Sequence, residues 1–109
     1  HRIQCVVAVD DDGRILGFQS LQLSTGDNPY GIAKGWGIIG THVSPRAARR
    51  GVGSALFRAT LAAAQAHGLR DIDASIGADN ALGQAYYEAI GFRTYRTTHD
   101  RVCKRYEVA

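Results

Sequence analysis

Methionine is absent, cysteine and proline occur twice each, and no apolar run approaches the roughly 20 residues that a bilayer-spanning helix needs. The N-terminus also lacks the charged-then-apolar design of a secretory signal. Both absences exclude a helical membrane protein and lead us to expect a soluble, cytoplasmic chain with no membrane partner. Two cysteines, Cys5 and Cys103, each in a strand-like apolar run, are too few for a disulfide framework and have no metal-ligand spacing. No metal is expected, and a reducing compartment is the simplest setting. A chance cross-strand pair or a reactive thiol stays open at this point.

Acidic residues are the most informative absence. From Asn28 to Arg70 there is no Asp or Glu, while Lys34, Arg46, Arg49, Arg50, Arg58 and Arg70 give that segment +6 in a chain whose total is +3. Such asymmetry points to an anionic partner near the middle of the chain.

What is present reads as one folded unit. A length of 109 residues, 45% hydrophobic and 21% charged, suits a single domain over residues 1–109 and argues against disorder. Ile3–Asp10 and Arg14–Leu23 are strand-like and flank Asp11, Asp12 and Gly13, a hairpin signal. Ser24–Gly35 is turn-rich, and Trp36–Val43 is a third strand stopped by Pro45. Val52, Ala55, Leu56, Ala59, Ala63 and Ala66 recur at helical spacing, predicting a helix over Arg49–His67 that ends at a left-handed Gly68.

Leu69–Ile76 is a short strand with Ile72, Ala74 and Ile76 on one face. Asp79 or Asn80 then caps a second helix with an apolar stripe of Leu82, Ala85, Tyr86, Ala89 and Ile90, ending at Gly91. Two further strands complete the chain. The helical crossover from Trp36 to Ile76 makes its two strands parallel and right-handed, with the remainder antiparallel. The expected fold class is therefore α/β: a mixed, mostly antiparallel twisted sheet flanked by helices.

Gly35–Gly40 spells GxGxxG, but extended chain follows it where a dinucleotide fold needs a helix, so it is set aside. "RRGVGSA" lies between strand and helix, where unpaired backbone N–H groups converge on phosphate and Gly51 and Gly53 let the backbone approach. The structural alternative is a plain helix start with solvated arginines. Against it, Arg49 and Arg50 crowd the positive end of a helix dipole, a placement that a bound anion would reverse in sign. In "DNALGQAYYEAIGF", Tyr86 lies on the apolar stripe and Tyr87, about 100° further round, is left free. Alone, Asn80 reads as a helix cap and Tyr87 as a packing residue.

Together, "ARRGVG" and the series Asn80, Tyr87, Gly91 and Phe92 resemble the GNAT superfamily of acetyl-CoA-dependent N-acetyltransferases. In that family a strand leads into Gln/Arg-x-x-Gly-x-Gly/Ala, which wraps a pyrophosphate. Ala48 departs from the pattern where Gln or Arg is usual, and Arg49 replaces a frequent Gly. The first recognisable strand corresponds to the family's second, so an opening strand and two helices are expected to be missing. With His1 first and no Met, the chain is expected to be a fragment, a processed product or a naturally short member.

The resemblance implies acetyl-CoA as cosubstrate and an amine of a small molecule or peptide as acceptor. Cofactor contacts would come from Val43, Arg49, Arg50, Gly51, Val52, Gly53, Ser54, Asn80 and Tyr87. It further implies backbone bonds from the Val43 strand to pantetheine, an oxyanion contact near Val43, and Tyr87 as the acid for the departing thiolate. His42 is the candidate base, beside solvent-mediated deprotonation. A non-catalytic acyl-CoA-binding module is the alternative function. Nucleic acid is disfavoured because the arginines cluster at one turn and no nucleic-acid motif is present. The strand-rich C-terminus leaves room for pairing across a homodimer.

Overall fold

The computed structural model describes residues 2–25, 31–47 and 51–108, with the backbone alone at Arg46. Alternating apolar and polar residues build β1 (Arg2–Val9) and β2 (Ile15–Leu23) into an antiparallel hairpin. Its turn is closed as expected: the Asp10 carboxylate accepts from the backbone N–H of Asp12 and of Arg14, each at 2.9 Å, and Gly13 takes the left-handed φ of 81°. β3 (Gly37–Val43) pairs antiparallel with β2, and a 3-10 turn at Pro45–Ala47 leads towards α1 (Val52–Ala66).

β4 (Asp71–Gly77) runs parallel to β3, followed by α2 (Ala81–Ala89), β5 (Arg93–Thr97) and β6 (Arg101–Glu107). The six strands form one sheet in the order β1-β2-β3-β4-β6-β5, antiparallel except at β3–β4.

α1 and α2 share one face of this sheet. Beneath them Phe57, Tyr87, Phe92 and Tyr106 meet edge-on or tilted at centroid distances of 5.1–5.6 Å, with Phe92 fully buried. Ile72, Ala74 and Ile76 all enter the core, as their spacing predicts. Gly68 closes α1 with φ 78° and a bond from the Leu69 N–H to the Ala64 carbonyl at 3.0 Å. Lys104 is also buried here, held by Glu88 at 2.6 Å and by Thr94 at 2.7 Å.

Two expectations are corrected. α1 starts at Val52, because Gly51 adopts the left-handed φ of 76° and acts as the N-cap; residues 48–50 lie outside the described residues. In α2 the inward line is Gly83, Tyr86, Tyr87 and Ile90, one residue round from the predicted stripe, with Tyr87 buried while Leu82 is 86% exposed. A nine-residue helix lying across a diverging sheet turns the flank that the aromatic cluster selects, and the bulk of two adjacent tyrosines outweighs two alanines. Both cysteines are free, in line with the sequence reading, and β1 and β6 stand four strand positions apart, about 19 Å, which rules out the cross-strand pair left open there.

Candidate active site

β3 and β4 pair only through Gly37–Ile72 and Ile38–Asp73, then diverge. Ser44 N–H donates to the Leu16 carbonyl at 2.7 Å, so the even-numbered backbone groups of β3 face β2. The odd-numbered ones, including those of Thr41 and Val43, face the gap where pairing with β4 has ended. A cleft of about 520 Å³ opens there, bounded by Thr41, His42 and Val43 on one side and by Ser75, Ile76 and Gly77 on the other. Asn80, Leu82, Gly83, Tyr86 and Tyr87 roof it from α2, and Arg101 reaches its floor.

A second groove of about 540 Å³ runs over the start of α1, lined by Val43, Ser44, Pro45, Gly51, Val52, Gly53 and Ser54. Val43, Leu82 and Tyr86 border both spaces, so the two adjoin at these residues. The first turn of α1 has no acidic residue and no side-chain cap, so its leading N–H groups and dipole face the groove uncompensated. Val52 contributes backbone only, since its side chain is buried with Leu16, Ala47 and Leu56. Ser54 is exposed on the groove. Arg49 and Arg50, assigned from the sequence to the same turn, lie outside the described residues.

Gly53 has a second reason to lack a side chain. A Cβ there would stand 2.6 Å from Cε1 of Tyr86, whose ring lies against the helix start and whose hydroxyl donates to the Gly53 carbonyl at 2.8 Å. Gln19, buried on β2, donates through Nε2 to Tyr86 Oη at 2.9 Å and to Thr41 Oγ1 at 3.0 Å. Tyr87 donates to the same Thr41 oxygen at 2.8 Å. A single polar chain thus runs from the α1 turn into the cleft.

The sequence placed Tyr86 in the core and left Tyr87 free, and the structure reverses this. Tyr87 is 6% exposed, with only its edge on the cleft, and Tyr86 is half-buried at the junction of the two spaces. Burial pushes the Tyr87 phenol up to about 12, against the opposing bond to Thr41. Burial also raises Tyr86, opposed by its contacts with Gln19 and Thr41.

Asn80 acts as the N-cap of α2, its Oδ1 accepting from Gly83 N–H at 2.9 Å, while it also borders the cleft. His42 is exposed on the sheet face opposite α1 and α2, stacked on Phe18 at 5.5 Å. On that face Asp73 is fully buried and raised by burial, with Tyr95 donating to it at 2.5 Å and Ser75 at 2.7 Å. Sequence reasoning did not single out Gln19, Thr41 or Asp73. The available signal was a polar side chain at an inward strand position: Gly17, Gln19 and Leu21 alternate towards α1, as do Gly37, Ile39 and Thr41.

A sequence model of the acetyltransferase (GNAT) family matches residues 1–92. A mycothiol acetyltransferase of Clavibacter michiganensis is 38% identical over 88 residues, covering 81% of this chain and 26% of its own length. Among solved structures, yncA of Salmonella typhimurium, determined with its cofactor acetyl-CoA, superposes with TM-score 0.77 at 16% identity, covering 96% of this chain and 64% of that one. The paia N-acetyltransferase of Thermoplasma acidophilum, in complex with coenzyme A, gives 0.79 at 16% identity, covering 97% and 61%. The chain therefore spans about a quarter of the curated relative and under two thirds of both structures. Among the described residues no helix is long and apolar enough to cross a membrane, and no cluster of His, Cys, Asp or Glu could hold a metal.

Proposed function

The chain belongs to the acetyltransferase (GNAT) family, and from that premise we propose that it moves an acetyl group from acetyl-CoA to a primary amine of a small molecule or peptide. The observation that carries this reading is the β3–β4 divergence, a cleft with one unpaired strand edge and a buried tyrosine, adjoining an uncapped helix start.

The residues present suit such a ligand. N–H groups of Gly51 to Ser54 would hold the pyrophosphate at the α1 turn, with Arg49 and Arg50 assigned beside it. The free edge of β3 at Thr41 and Val43 would bond the pantetheine arm as a neighbouring strand would, and Asn80 would border it. Acetyl-CoA supplies an acetyl group already activated as a thioester.

Val43 N–H, on the free edge of β3, would donate to the carbonyl oxygen as charge develops there. Tyr87 keeps its proton at any pH below about 12 and can give it to the leaving sulfur. A free thiol has a reference pKa near 8.5, so this transfer is uphill in water. Inside the cleft, the burial that disfavours the phenolate disfavours the thiolate as well, which narrows the gap. His42, on the other face, is the candidate to take the proton that the amine sheds, so amine and cofactor would enter from opposite sides of the sheet.

Calorimetric titration with acetyl-CoA, followed by single-turnover transfer to a panel of amines, tests the reading. Ser54→Glu is the suitable control, because it places a negative charge in the groove without touching Tyr86. We expect binding that the control abolishes, and transfer slowed at least 100-fold in Tyr87→Phe. Binding without transfer to any amine would select the non-catalytic acyl-CoA-binding module instead. No binding by the folded chain would refute both.

A further inference from the structure

Gln19 is 1% exposed, and the direction of each hydrogen bond around it can be deduced. Tyr86 has one hydroxyl hydrogen, and the Gly53 carbonyl, 2.8 Å away, can only accept, so that hydrogen is committed. The Gln19 atom 2.9 Å from Tyr86 Oη must therefore be a donor, which identifies it as Nε2. The same nitrogen lies 3.0 Å from Thr41 Oγ1 and gives its second hydrogen there. The amide oxygen is left buried with no partner among the described residues, a cost that the fold bears to keep the NH2 group on the two hydroxyls.

One link can still run either way. Thr41 and Tyr87 are both hydroxyls, 2.8 Å apart. When Tyr87 donates to Thr41, its proton is turned away from the cleft; when Thr41 donates, the Tyr87 proton is released towards it. Because Gln19 donates to Thr41 and does not accept from it, the Thr41 hydrogen is left to the two tyrosine oxygens, Tyr86 Oη and Tyr87 Oη, and can take the second direction.

We propose that Gln19 is a positioning residue that keeps Thr41 able to donate to Tyr87, so that Tyr87 can turn its proton to the leaving sulfur. This rests on the acetyl-transfer reading above. In balanced terms, the amine nitrogen bonds the acetyl carbon, the carbon–sulfur bond breaks, and Tyr87 protonates the sulfur. The Thr41 hydroxyl then stabilises the phenolate oxygen until it regains from solvent the equivalent of the proton that the amine released.

The experiment compares Gln19→Glu with Gln19→Met. A carboxylate accepts the Thr41 hydrogen and locks Tyr87 into donating to Thr41, whereas a thioether leaves that hydrogen available. Gln19→Glu should lose about tenfold or more in kcat with KM for acetyl-CoA held within about twofold, and the defect should deepen as pH rises and the carboxyl ionises. Gln19→Met, which removes the donor but does not capture the Thr41 hydrogen, should lose an intermediate amount, about three- to tenfold, with no pH dependence of the loss. Thr41→Val should match Gln19→Glu, and Thr41→Ser should restore the rate. Without turnover, the Cζ resonance of isotopically labelled Tyr87 should shift in Gln19→Glu and stay near wild type in Gln19→Met.

If Gln19→Met turns over at the wild-type rate, or is as damaging as Gln19→Glu with the resonance moving equally in both, the proposal is overturned. If Tyr87→Phe turns over at the wild-type rate, the acid role of Tyr87 fails, a result read independently of the Gln19 pair.

Discussion

Gly53→Ala gives the sharpest test of how the helix start and the cleft are joined. In an exposed first turn the change would favour the helix by about 1 kcal/mol. Here the new methyl would stand 2.6 Å from Cε1 and 3.3 Å from Cδ1 of Tyr86, so the ring must move. Such overpacking costs roughly 1–3 kcal/mol. A displaced ring also weakens the bonds to the Gly53 carbonyl and from Gln19, at about 1 kcal/mol each.

Offsetting the propensity gain against these losses leaves a net destabilisation of about 2–4 kcal/mol, a fall of roughly 10–15 °C in Tm for a chain of this size. In a Tyr86→Leu background most of the clash and both bonds are gone, so the same substitution should be neutral or stabilising by up to about 1 kcal/mol. Urea unfolding of the four proteins of this cycle measures the coupling. Equal effects in the two backgrounds would refute the reasoning, and so would a Gly53→Ala protein more stable than wild type.

Two further outcomes are expected. Asn80→Ala should lose about 1 kcal/mol of stability as α2 loses its cap, while Asn80→Asp, which caps equally well, should restore it; a loss of acetyl-CoA affinity in Asn80→Asp without a change in Tm would instead make the amide a ligand contact. The Tyr87 phenol is raised from 10.0 to about 12 in the folded protein, so the unfolded chain releases this proton first and stability falls as pH rises from 10 towards 12. That slope, on the order of 2–3 kcal/mol over the interval, should flatten in Tyr87→Phe when unfolding is followed at fixed denaturant across the alkaline range.

Much of the architecture is legible in the residues because local rules and tertiary packing agree. Asp10 and Gly13 close a hairpin that their own chemistry specifies, and Gly68 ends α1 in the conformation that glycine alone takes without strain. The β4 alternation of Ile72, Ala74 and Ile76 survives intact because β6 holds its register along the whole strand. α2 was misread by one position. Its stripe in sequence counts apolar residues equally, whereas the core weighs them by area, and Tyr87 against Phe92 outweighs Leu82, which is left on the cleft rim.

For the site, the sequence determined the turn chemistry: glycines at 51 and 53, no acid in the first helical turn, and a tyrosine seven residues after the Asn80 cap. These are contiguous features, readable because a helix start builds its anion site from consecutive backbone groups. Only the tertiary structure decided that Gln19, Thr41 and Tyr87 meet, since they come from β2, β3 and α2 and lie 22 to 68 residues apart. It also decided which tyrosine is buried, and that β3 and β4 part after two pairs to leave the cleft open. Hydrogen-bond direction through such a chain depends on every donor and acceptor at once, and no local stretch of sequence contains them all.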